Sequence, residues 1–199
     1  NDKLFFPNVK KENKSFDILI VGRLTSDKRI DRFINIVNVT KKMIGDKIHI
    51  KGLIAGSGRS AESQMPLLVK QSKNLGLTDK HLKFLGAVEN IEHLYREVDI
   101  LLLTSAFEGS PNCVIEAMAS GVPVLATNVG NVSELISNNI NGYIIDPYSE
   151  SEFVKIIISL ALNKKLLKDM RKSAAKSFDN DFALKNHKKL VSIFRELVY

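Results

Sequence analysis

The sequence predicts an α/β fold built on a doubly wound, parallel β-sheet, and three observations carry that expectation. Short apolar runs rich in Ile, Leu and Val alternate along the chain with longer amphipathic stretches. The runs are continuous rather than alternating with polar residues, as expected of strands buried on both faces. Most of them close on or near glycine. Strands that alternate with helices form a parallel sheet with helices packed on both faces.

The elements follow in order. Phe16 to Gly22 (FDILIVG) reads as the first buried strand. DRFINIVNVTKKM sets Phe33, Ile36, Val37 and Thr40 near helical spacing, and Gly45 stops that helix. IHIKGLIAGSG is the second strand, again ending in glycine. A helix from about Met65 to Leu75 is stopped by Gly76, and Leu82 to Gly86 (LKFLG) is the third strand. Glu92 to Glu97 is a short helix, DILLLTS the fourth strand, and PNCVIEAMASG a helix ending at Gly121. PVLAT and GYIID are the fifth and sixth strands, and the remainder is helical. Residues 1–15 read as a lead-in arm, 16–177 as the domain and 178–199 as a C-terminal helix.

Composition narrows the class without naming a function. The chain has 199 residues, 44% hydrophobic and 26% charged, which excludes disordered and collagen-like classes and is enough for one α/β core. Net charge is +7, so an anionic partner is expected, of a kind the charge does not select. The single cysteine, Cys113, forms no internal disulfide, which fits a reducing, cytoplasmic setting. No run of about 18 apolar residues occurs, and NDKLFFPNVKKENKS is too polar for a signal peptide. The chain begins with Asn, as a piece of a longer protein would.

The glycines locate the candidate site. Gly22, Gly56, Gly86 and Gly109 fall at or just beyond the carboxyl ends of predicted strands, where open α/β sheets bind ligands. The strongest signal is Phe107 to Thr127, FEGSPNCVIEAMASGVPVLAT. Ser110 followed by Pro111 reads as a helix N-cap and a first-turn proline. The N–H groups of Asn112 and Cys113 then face the crevice at the positive end of the helix dipole, a phosphate site. Glu108 and Glu116 bracket this start, and a carboxylate accepts two hydroxyl hydrogen bonds, so the pair can hold a sugar on each side of a phosphate. The plain alternative is a solvated loop charge and a surface helix residue. The surrounding Gly109, Pro111 and ASGVPV favour the functional reading.

These residues carry a resemblance. E-G-x-P, a second glutamate eight residues after the first, and then E-A-M-A-x-G-x-P-V resemble the signature of family-4 retaining glycosyltransferases, in the C-terminal, nucleotide-sugar-binding half of their GT-B fold. VGRLTSDK resembles that family's first strand and loop, and IAGSG, FLGAV and ELISNNINGYIIDP follow in the family's order. The resemblance covers about residues 16 to 147. It implies a Rossmann-like donor domain that binds a nucleoside-diphosphate sugar, UDP- or GDP-linked, with no metal and no other cofactor. It implies that Arg23 and Lys28 neutralise the departing diphosphate, that Gly22 and Gly56 allow close backbone approach, and that Glu116 accepts the ribose hydroxyls. Glu108 would hold donor-sugar hydroxyls, the segment from Gly109 through Ser110, Pro111 and Asn112 to Cys113 would border sugar and distal phosphate with the N–H groups of its residues other than proline, and Leu85 to Val88 would border the base. It further implies an N-terminal acceptor domain outside this chain, and a cytoplasmic enzyme at the inner face of the membrane, with peripheral membrane association. One departure is Arg29, where the family usually has glycine after the lysine.

Competing signals are weaker. Gly56 to Ala61 (GSGRSA) matches the dinucleotide fingerprint G-x-G-x-x-A, but that fingerprint belongs to the first βα unit with an acidic residue closing the next strand. Here the next strand closes on Gly86 and Ala87. Asp179, Asn180 and Asp181 form a D-x-D, better read as helix capping. His49, His81, His93 and His187 lack zinc-ligand spacing, and no G-x-S-x-G elbow is present. Lys164, Lys165, Lys168, Arg171, Lys172, Lys176, Lys185, Lys188 and Lys189 are consistent with an anionic-surface or nucleic-acid module. A solvated helical face explains them better, and no nucleic acid is expected.

Overall fold

A computed structural model describes residues 15–57 and 63–177. Six strands form one sheet: β1 (Ser15–Val21), β2 (His49–Ala55), β3 (Leu82–Gly86), β4 (Ile100–Leu103), β5 (Val124–Thr127) and β6 (Gly142–Ile145). All pair in parallel in the order β3-β2-β1-β4-β5-β6. The doubly wound α/β expectation is met, with every predicted strand present and its ends within three residues.

Alternation along the buried strands builds two cores. Phe16, Ile18 and Ile20 of β1, with Ile50 and Ile54 of β2 and Ile100 and Leu102 of β4, face one layer. That layer holds α1 (Ile30–Ile44), α2 (Met65–Asn74) and α6 (Glu150–Leu162). The intervening Leu19, Leu53, Leu101, Leu103 and Val124 face the opposite layer, formed by α3 (Ile91–Glu97), α4 (Asn112–Ala119) and α5 (Val132–Leu135). The period of two along each strand thus serves both faces, which is why the runs read as continuous apolar stretches. Gly52 is needed for this packing, because a Cβ there would meet Leu82 Cδ1 at 2.8 Å and Val37 Cγ2 at 2.9 Å.

Helix ends follow the sequence closely. Gly45 closes α1 with φ of 62°, and Gly76 and Gly121, just beyond α2 and α4, are also left-handed at 69° and 68°. The four-residue α5 is an element that the apolar period was too short to reveal. The last described helix, α7 (Lys164–Ser177), keeps Lys164, Lys165, Lys168, Lys172 and Lys176 exposed, so these lysines form the solvated face. Arg171 departs from that reading: its Nη1 donates to the Val98 carbonyl at 2.8 Å, tying α7 to the start of β4. Strand β1 opens at Ser15, one residue inside the predicted lead-in arm. The arm, the C-terminal helix at 178–199 with its D-x-D, Lys185, Lys188 and Lys189, and most of the GSGRSA loop lie outside the described residues. Among the described residues no helix is long and apolar enough to cross a membrane.

Candidate functional site

The strand order reverses direction between β1 and β4: from β1 the chain winds outward to β2 and β3, and from β4 to β5 and β6. Loops leaving neighbouring strands in opposite directions open a crevice at their carboxyl ends. The loop after β1 (residues 22–29) and the loop after β4 (residues 104–111) border it, and they are joined by several bonds. The Ala106 amide donates to the Asp27 carbonyl at 2.8 Å. The buried Thr104 hydroxyl reaches the carbonyls of Arg29 at 3.0 Å and Lys28 at 3.3 Å.

An ion pair completes this junction. Lys28 Nζ lies 2.8 Å from Glu108 Oε2 and 3.3 Å from Asp27 Oδ2, with the side chains of Lys28 and Glu108 only 16% and 12% exposed. Burial by itself would lower the Lys28 pKa, but the hydrogen bond and charge of Glu108, helped by Asp27, leave it raised above its ordinary value. The other carboxylate oxygen of Glu108 accepts from the buried Ser105 hydroxyl at 2.7 Å. The Ser105 carbonyl in turn accepts from Thr127 Oγ1 at 2.7 Å, so Glu108 is anchored through β4 to β5. Arg23, in contrast, is exposed and has no ion-pair partner among the described residues.

Arg29 shows how the β1 loop closes without the expected glycine. Its backbone is left-handed at φ 49° and ψ 47°, a conformation that costs a non-glycine residue roughly 1–2 kcal/mol. The guanidinium offsets part of that cost by bridging both oxygens of Asp31, at 2.9 and 2.8 Å.

At α4 the expected cap is corrected. Pro111, not Ser110, is the N-cap, and no side chain caps this terminus; Ser110 is exposed in the loop and the helix starts at Asn112. A proline ψ of 98° is extended, so Pro111 stays outside the helix rather than opening its first turn. The Val114 amide is satisfied by the Pro111 carbonyl at 3.0 Å. The start that Asn112 and Cys113 contribute remains without a side-chain acceptor, which suits an anion. Glu116, one helical turn further on, is half-buried and accepts from the Tyr95 hydroxyl at 3.0 Å.

The glycines have different roles. A Cβ on Gly56 would lie 1.7 Å from the Gly22 carbonyl oxygen, so the close approach there is between the ends of β1 and β2. At Gly22 a Cβ would make only ordinary contact, 3.7 Å from Lys28 Cγ and Cδ, and at Gly109 it would meet nothing within 4 Å. Leu85 and Val88 pack half-buried against the apolar layer that contains Tyr95. Sequence reasoning overlooked Ser105, Thr104, Tyr95 and Gly130. A Cβ on Gly130 (φ 56°) would lie 2.2 Å from the Gly109 carbonyl. Gly130 follows β5 much as Gly22 follows β1, so the strand-end glycine signal extends to it.

Cys113 is half-buried beside both glutamates. Burial first, and then Glu108 and Glu116, push its thiol up to about 12, overriding the lowering expected at a helix start. The thiol therefore stays protonated at physiological pH. Iodoacetamide is expected to label it far more slowly than glutathione from pH 7 to 10, and a rate that levels off above pH 8–9, as for an ordinary thiol, would contradict this.

The family model described as glycosyl transferases group 1 matches residues 1–177. The chain belongs to this family. Over 194 residues it is 28% identical to the N-acetyl-alpha-D-glucosaminyl L-malate synthase of Bacillus anthracis, an alignment covering 96% of this chain and 48% of that protein. Among solved structures it resembles the C-terminal domain of the glycosyl transferase group 1 protein LpcC from Francisella tularensis, with 27% identity, a TM-score of 0.77, and coverage of 92% of this chain and 97% of that one. HepE of Anabaena, solved in complex with UDP-glucose, shares the fold at 22% identity and a TM-score of 0.80, over 92% of this chain and 49% of HepE. The chain thus spans about half the length of the Bacillus anthracis and Anabaena relatives. As a glycosyl transferases group 1 domain, it has the Rossmann-like fold of the C-terminal half of GT-B enzymes.

Proposed function

We propose that this chain is the donor-binding half of a retaining glycosyltransferase, active together with an N-terminal domain that binds a saccharide or lipid-linked acceptor in polysaccharide or glycoconjugate synthesis. The observation that carries this reading is the Lys28–Glu108 pair, which joins the two switch-point loops beside the uncapped start of α4. A nucleoside-diphosphate sugar suits that combination. Lys28 and the exposed Arg23 offset the diphosphate charge that grows as the glycosidic bond breaks. The amides of Gly109, Ser110, Asn112 and Cys113 receive the distal phosphate and the sugar, and Glu116 accepts the ribose hydroxyls. Glu108 has one oxygen on Lys28 and the other on Ser105, and its remaining lone pairs can accept donor-sugar hydroxyls without its moving.

The transferase names among the relatives support this reading, and the UDP-glucose complex of HepE makes UDP a sensible first probe. UDP or GDP, in EDTA, is expected to raise the thermal midpoint of the chain, and Glu116→Ala to remove the shift. Absence of a shift with every nucleoside diphosphate would rule the proposal out.

A further inference from the structure

Tyr95 is among the largest fully buried side chains, at 0% exposure, and it lies on α3 within the apolar layer formed with α4 and α5. Its hydroxyl reaches from α3 to α4 and donates to Glu116 Oε2 at 3.0 Å. A phenol buried this deeply needs an acceptor, and the acceptor here is a carboxylate at the candidate nucleotide site rather than a backbone carbonyl. We propose that Tyr95 is a positioning residue which locks the Glu116 carboxylate for a ribose diol and so makes the site select ribonucleotides over deoxyribonucleotides. The inference rests on the reading that Glu116 accepts the ribose hydroxyls.

The chemistry follows from lone-pair arithmetic. A carboxylate offers about four acceptor positions, and the phenol takes one of them. The rest suffice for two vicinal hydroxyls, provided that the carboxylate plane is fixed. An untethered glutamate on a helix surface samples several rotamers, and a diol that requires one of them then binds more weakly. Burial, followed by the neighbouring Cys113 and Glu116, holds the phenol well above its ordinary pKa, so it stays a donor at physiological pH.

Calorimetric titration of the 199-residue chain with UDP and 2′,3′-dideoxy-UDP separates the possibilities. The wild-type chain is expected to prefer the ribonucleotide by about 100-fold, through two charge-assisted hydrogen bonds. Glu116→Ala should bind the two equally. Tyr95→Phe should lower the preference about 10-fold while leaving dideoxy-UDP affinity unchanged, whereas general loosening would weaken both nucleotides alike. An unchanged preference in the Tyr95 variant, with the preference lost in Glu116→Ala, overturns the positioning role and leaves the donor-site reading intact. A preference that survives Glu116→Ala, or a wild-type chain that binds neither nucleotide, overturns the donor-site reading and this inference with it.

Discussion

Lys28→Ala should weaken nucleoside-diphosphate binding by about 100-fold, the effect of removing a charge-assisted, partly desolvated phosphate contact. Two ammonium protons are engaged by Glu108 and Asp27, which leaves the third for a phosphate oxygen. The substitution should also destabilise the fold by about 1–3 kcal/mol, because Glu108, 12% exposed, loses its cation. That contribution depends on pH in a defined direction. The folded-state pKa of Lys28 lies above the ordinary 10.5, so its stabilisation is complete below pH 10.5 and fades as pH rises through the higher folded value. Titration of UDP against wild-type and Lys28→Ala chains, with urea melts at pH 7.5 and at pH 11, measures both parts. Equal affinities would remove Lys28 from the site, and an undiminished stability difference at high pH would remove the ion pair from the stability argument.

Gly56→Ala is expected to be among the most damaging single-methyl changes in the described chain. The added Cβ would meet the Gly22 carbonyl oxygen at 1.7 Å and its carbon at 2.8 Å, and neither backbone is free to give way. The Gly22 amide is bonded to the Ala55 carbonyl at 3.0 Å, and the Gly56 amide to the Gly86 carbonyl at 2.8 Å. Relief requires prying the ends of β1, β2 and β3 apart, at a cost of at least about 3 kcal/mol, or roughly 10 °C in the midpoint for a chain of this size. Gly109→Ala, in the signature motif itself, should stay within about 0.5 kcal/mol of wild type, because its Cβ meets open space. Similar melting points for the two variants would contradict the packing account.

The contrast between these glycines shows what the sequence made legible. Continuous apolar runs located all six strands, and the glycines at or near the ends of most of them marked the carboxyl edge of the sheet, because burial on both faces and a sharp strand-to-loop turn each leave a local mark. The Glu108–Glu116 motif was legible for a similar reason: its parts lie on one loop and one helix. What Gly56 is for was not legible, since the atom it makes room for belongs to Gly22, 34 residues earlier. Tyr95 and Ser105 escaped notice because a tyrosine on the buried side of a short, mostly polar helix and a serine just past a strand look ordinary until the fold sets them against the two glutamates. The cap assignment failed differently. Ser-Pro is a good local helix start, but the loop here runs one residue further and leaves the terminus open to a ligand.

The most direct test is an amide NMR titration of the chain with UDP or GDP in EDTA at moderate salt. Saturable shifts are expected at Gly109, Ser110, Asn112 and Cys113, at Gly22 to Lys28 and at Leu85 to Val88, moved to about 100-fold higher nucleotide concentration in Glu116→Ala. Shifts confined to the lysine face of α7 that fade with salt, or no shifts with either nucleotide, would contradict this.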